Sequence, residues 1–82
     1  MKTQLTIRES RRLFPGRLRE ALALRGVSGN ALARRIGLPP MRVWRWLAGE
    51  TEPRWSEAER IVEELSLPAD YFRDPSPTIP PA

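Results

Sequence analysis

Apolar positions recur three or four residues apart along most of this chain, and glycines and prolines cut that rhythm into short segments. From Leu13 onward, Leu18, Leu22 and Arg25 follow at helical spacing with Ala21 and Leu24 beside them, which predicts a helix over about residues 13–25. Pro15 falls near the expected start, where a missing N–H does no harm, and Gly26 follows as the C-terminal stop. Ahead of it, Leu5 and Ile7 alternate with Gln4, Thr6 and Arg8, the pattern of a short strand or extended arm, so residues 1–12 are expected to form an N-terminal arm.

Ser28 is placed to cap a second, two-turn helix in which Ala31, Leu32, Arg35 and Ile36 keep the period until Gly37 ends it. A residue before proline is pushed out of the helical region, so Leu38 and Pro39 should be extended, while Pro40 suits a first helical position. A third helix over residues 40–48 follows, stopped by Gly49 and a loop marked by Thr51 and Pro53. Trp55 or Ser56 opens a fourth, with Glu57 and Glu59 in its first turn and Ala58, Ile61, Val62 and Leu65 on one face. A short fifth turn after Pro68 carries Tyr71 and Phe72 to close over the core, and Trp55 reads as a packing lid. The expected fold is all-α, with residues 13–73 as the domain and residues 74–82 as a Pro-rich flexible tail.

On a helical wheel the third helix buries Val43, Trp46 and Leu47, leaving Met41, Arg45 and Ala48 opposite and Arg42 and Trp44 on the flanks. Two short helices joined at a glycine, the second presenting arginine and apolar groups outward, fit the major groove of DNA, which is about 12 Å wide and accepts one helix. Ala33, Gly37, Val43 and Trp46 stand where such a pair needs a small contact residue, a turn and a packed back face.

Charge strengthens this picture. Residues 1–48 carry eleven basic residues against two acids, and residues 49–82 carry three against eight, so the net +4 conceals a polarised molecule able to turn one positive face to a polyanion. Nearly all of the positive charge is arginine, whose planar fork suits phosphates and guanine edges. Histidine and cysteine are absent, which argues against an enzyme, a metal site, a disulfide or a bound cofactor. No stretch approaches the roughly 20 apolar residues of a membrane span, and the beginning lacks a signal-peptide run, so a soluble cytoplasmic protein is expected.

The stretches GRLREALALRGVSGNALARRIGLPPMRVWRWLAGETEP and AERIVEELSLPADYF resemble the Cro and phage-repressor-like, Xre-type helix-turn-helix family over roughly residues 14–72. The resemblance implies a compact five-helix bundle of lambda-repressor type and operator binding as a homodimer on double-stranded DNA. Carried onto this chain, the family's DNA-facing positions are Asn30, Pro39, Pro40, Met41, Trp44 and Arg45. Arg42 joins them from its place on the wheel, and Ser28 from the free N–H groups at its helix start, which suit phosphate. Arg42 and Arg45 would contact guanine or phosphate, and Met41 and Trp44 thymine methyl groups or sugars.

The chain also departs from that pattern. Gly29 stands where relatives often have glutamine, Pro39 and Pro40 replace polar residues at the head of the third helix, and the following loop, GETEP, brings Glu50 and Glu52 where relatives are often basic. These changes favour apolar or shape readout. They also open a second reading, in which the same face, through Trp44 and Met41, docks a protein such as a cognate toxin, as an antitoxin or adaptor would.

Overall fold

The first helix starts earlier than its apolar rhythm indicates. The computed structural model describes residues 3–81, and there α1 (Ile7–Arg25) begins at Ile7 because Thr6 and Glu9 form a capping box: Glu9 N–H donates to Thr6 Oγ1 at 3.1 Å, and Thr6 N–H donates to Glu9 Oε1 at 3.0 Å. Of the arm expected at residues 1–12, only residues 3–6 are non-helical; Met1 and Lys2 lie outside the described residues, as does Ala82 of the tail. Pro15 accordingly sits in the interior of α1 and not in its first turn.

Helix α2 (Gly29–Ile36) is capped by Ser28, whose Oγ accepts from Ala31 N–H at 3.0 Å, and ends at Gly37 in the left-handed conformation, φ 73°. Helix α3 (Pro40–Leu47) begins with extended Pro39 and no side-chain cap, so here proline geometry alone sets the start. Helix α4 (Trp55–Glu64) opens with Arg54 N–H donating to the Glu57 carboxylate at 2.7 Å. Among the described residues there are four helices and no strand, which corrects the five-helix expectation. Residues 65–66 and 69–73 form turns instead, with Tyr71 N–H on Pro68 O and Arg73 N–H on Asp70 O, because the stretch between Pro68 and Pro75 is too short to propagate a helix.

The core is continuous. Phe14, Leu18 and Leu22 of α1 meet Leu32, Ala33 and Ile36 of α2, Val43 and Trp46 of α3, Ile61 of α4, and Leu65, Leu67 and Tyr71 beyond it. Phe14 meets Trp46 edge-on at a centroid separation of 6.5 Å and lies 4.7 Å from Phe72, so the turn segment does close over the core as its aromatics indicate. Trp55 does not: it is 58% exposed, with the Arg73 guanidinium 3.7 Å over its ring, because as the first residue of α4 it projects away from the stripe set by Ile61 and Leu65. Residues expected as a flexible tail begin with buried Asp74 and bring Ile79 onto the core.

Three arginines of α1 secure the other elements by their main chain. Arg19 donates to Leu47 O at the end of α3 (3.0 Å), and Arg25 donates to Leu65 O and Ser66 O after α4 (2.7 and 3.0 Å). Arg17 donates to Tyr71 O, Asp74 O and Pro75 O at 3.2, 2.6 and 3.1 Å, while the Tyr71 hydroxyl donates back to Arg17 O at 2.8 Å. Burial, then the Glu20 carboxylate, pushes the Tyr71 phenol up from its ordinary range, so it stays a protonated donor.

Candidate nucleic-acid interface

The two short helices of the hinge are held at close quarters by residues chosen for size. Ala33 is fully buried between them, and a Cβ on Gly29 would stand 3.5 Å from both Leu47 Cδ1 and Val43 Cγ1, so the start of α2 rests directly on the back of α3. A side chain as long as glutamine at position 29 would have to turn away from that contact. Val43 (0% exposed) and Trp46 (1%) anchor the inner face of α3, and with Leu47 half-buried beside them the wheel's buried stripe is observed as expected.

Anchoring that stripe dictates what faces out. Met41 (59% exposed), Trp44 (51%), Arg45 and Ala48 are solvent-facing, as are Pro39 and Pro40 at the head of the helix. Trp44 Nε1–H donates to Asn30 Oδ1 at 3.1 Å, so two of the residues singled out in the sequence are one unit that ties the outer edge of α3 to the start of α2. The amide of Asn30 is thereby oriented by an indole, and the indole loses rotational freedom while keeping its face exposed. Ser28 is exposed but spends its hydroxyl acceptor on Ala31 N–H. It therefore contributes structure to the α2 N-terminus more than a contact of its own.

Arg42 is the residue that geometry treats differently from the rest. It is half-buried, and its Nη2 lies 3.0 Å from Glu57 Oε2 in the first turn of α4. The same carboxylate also accepts from Arg54 N–H, so Glu57 joins α3 to the start of α4. Sequence spacing gave no sign of this pair, since residues 42 and 57 belong to different helices. Glu52 of the acidic loop is likewise engaged, with its Oε2 2.8 Å from Arg11 Nε, while Glu50 remains exposed.

The polar balance of the surface changes accordingly. Arg17, Arg19 and Arg25 serve main-chain carbonyls, Arg11 and Arg42 serve carboxylates, and Arg73 stacks on Trp55. The arginines that remain turned to solvent include Arg45 at the last turn of α3, Arg34 and Arg35 at the last turn of α2, and Arg8 and Arg12 on α1. Among the described residues no group of acids is arranged to hold a metal ion, and no helix is long and apolar enough to cross a membrane. What the arrangement offers is a convex ledge: one short helix with a rigid back, an apolar and arginine-bearing front, and the N-terminus of a second helix beside it.

A family model described as helix-turn-helix matches residues 18–72. No curated protein and no solved structure gives a match. The matched span takes in α2, α3, α4 and the closing turns but leaves the first half of α1 and the tail outside it.

Proposed function

The chain belongs to the Xre and lambda-repressor-like helix-turn-helix family, a family of DNA-binding regulators, and from that premise we propose that it is a sequence-specific, repressor-like protein that lays α3 in the major groove of its operator. The observation that carries this reading is the division of α3 itself: Val43 and Trp46 are locked in the core while Met41, Trp44 and Arg45 stand exposed on one ledge. A helix whose back is anchored presents its front side chains from a fixed backbone, so that binding orders rotamers and not the main chain, which is what discrimination between base pairs requires.

In this reading Arg45 reaches a guanine edge or a phosphate, and Met41 with the Trp44 ring lies against thymine methyl groups or sugars. Pro39 and Pro40 bring main chain close to the groove without polar side chains, which shifts recognition toward shape and apolar contact. Asn30 and the N–H groups at the start of α2 approach a phosphate, with Ser28 keeping that helix end in register. Pairing of two copies on a palindromic site, with the α3 helices about 34–36 Å apart, is the assembly that this reading expects.

Selection of bound duplexes from a random pool tests the proposal, with a consensus site expected to emerge. Arg45→Ala should then cost about 1–3 kcal/mol at that site and relax selectivity at one base pair. Recovery of no enriched sequence, together with no binding at low salt, overturns it. The exposed indole of Trp44 supports a second reading as a protein-docking face, since tryptophan dominates interface hot spots. That reading requires Trp44→Ala to abolish capture of a protein such as a cognate toxin while leaving DNA binding intact.

A further inference from the structure

The first half of α1 lies outside the family match, yet it carries an ordered charge pattern. Arg8, Arg12, Pro15 and Arg19 fall at positions i, i+4, i+7 and i+11, which at about 100° per residue places them on one stripe of the helix. That stripe runs across the C-terminal end of α3. Arg19 donates to Leu47 O, the last residue of α3, at 3.0 Å. One turn earlier, Pro15 Cγ lies 3.6 Å from where a Cβ on Gly49 would stand. Earlier still, Arg8, Arg11 and Arg12 line one concave surface with Pro15, Gly49 and Glu52.

Among the described residues that line that surface the one acid, Glu52, is already paired, with Arg11 at 2.8 Å. Arg8 and Arg12 are exposed beside it, about 6 Å apart along the helix axis by the rise of four residues. The outward row of α3, Met41, Arg45 and Ala48, ends beside Leu47 and Gly49, the two residues that Arg19 and Pro15 of the stripe approach, so the stripe starts from the same end of α3.

We propose that the N-terminal extension of α1 is a phosphate-binding site for the same duplex, in which Arg8 and Arg12 hold backbone phosphates flanking the segment read by α3 while Arg11 masks Glu52. The site takes the backbone charge of DNA and reads no sequence. It supplies positive charge at the edge of an acidic loop that would otherwise repel the duplex, and it does so from a helix whose main chain is already ordered, so that only side-chain rotamers are fixed on binding.

The inference rests on the DNA-binding reading, and its test separates the two. The full chain, an Arg8→Ala/Arg12→Ala variant and an Arg8→Lys/Arg12→Lys variant are titrated with the selected duplex and with a mixed-sequence duplex over a range of salt. Loss of two phosphate contacts should make the log affinity against log salt slope shallower by about 1.8, at roughly 0.9 per phosphate. Both duplexes should weaken by the same factor, and the lysine variant should restore the slope, since lysine retains the charge. Circular dichroism checks the fold of both variants, which is expected to stay helical because Arg8 and Arg12 are exposed helical positions. An unchanged slope in a protein that binds DNA overturns this inference alone, as does a loss confined to the selected duplex. Failure of the unaltered chain to bind either duplex overturns the DNA-binding reading and this inference with it.

Discussion

Replacing Glu57 by Gln should destabilise the protein and tighten its hold on DNA at the same time. The Glu57 carboxylate does two jobs, accepting from Arg54 N–H at 2.7 Å and pairing with Arg42 at 3.0 Å. Glutamine can keep the first hydrogen bond, because either residue serves at this position of a helix start, but it removes the negative charge from the first turn of α4. The lost dipole interaction costs about 0.3–1 kcal/mol. The ion pair is discounted for solvent, since the Arg42 side chain is 41% exposed, and contributes about 0.2–1 kcal/mol. The combined loss, about 0.5–2 kcal/mol, lowers Tm by roughly 4–8 °C per kcal/mol in a domain of this size. Arg42, released beside the α3 ledge, then becomes available for a phosphate, steepening the salt slope by about 0.9. Over a fourfold change in salt that slope changes the variant's advantage by about threefold. Thermal melting followed by circular dichroism, with fluorescence anisotropy on the operator duplex at several salt concentrations, measures both quantities. A variant that melts lower but binds with the same affinity and slope as its parent refutes the idea that Glu57 withholds Arg42 from DNA.

Two further outcomes follow from local geometry. Gly37→Ala should cost about 1–2 kcal/mol, entirely from the backbone, because φ is 73° and no atom lies within 4 Å of an added Cβ. Asparagine there should recover part of the loss, and equal melting of the parent and the alanine variant would contradict the assignment. The Glu9 carboxyl is held below its ordinary range, first by Thr6 N–H, then by the Thr6 hydroxyl, with Arg12 adding a smaller pull. Because its folded pKa lies below the unfolded value of about 4.3, its contribution is present above that pH and disappears as pH falls through the folded pKa. Helix content against pH should therefore fall on the acid side in the parent and be flatter there in Glu9→Gln; superimposable acid limbs would exclude the capping box as the cause.

The hinge was the most legible part of the chain, because it is written in residues with few alternatives. Gly37, Pro39 and Pro40 each restrict the backbone so strongly that the end of α2 and the start of α3 follow from local chemistry. The inward and outward faces of α3 were equally readable, since its eight residues hold one apolar stripe. The start of α1 is obscured in the sequence by competing local signals. Thr6 and Glu9 carry the capping-box spacing, but the alternation of Leu5 and Ile7 competes with it, and Pro15 looked like a first-turn residue. The Arg8 and Arg12 stripe is hidden with it, because it exists only where residues 7–12 are helical. The pairs Arg42 with Glu57, Trp44 with Asn30 and Arg11 with Glu52 bridge separate elements, and no local rule contains them. The fifth helix failed because the resemblance supplied it while the segment between Pro68 and Pro75 did not.

The α1 arginines that grip carbonyl oxygens carry a consequence for how this protein tolerates mutation. Arg17, Arg19 and Arg25 attach the closing turns, the end of α3 and the end of α4 by hydrogen bonds to main-chain carbonyls. A carbonyl is present whatever residue occupies the position, so Leu47, Ser66 and Pro75 can change identity without dissolving these attachments. Three side chains of one helix thus add attachments that do not depend on the identity of the residue they hold, beside the shared core and the Trp44–Asn30 and Arg42–Glu57 pairs, while Met41 and Arg45 stand exposed on the ledge. A change of specificity can then be explored at exposed α3 positions such as Met41 and Arg45 without touching those attachments, whereas Arg42 and Trp44 also tie α3 to its neighbours.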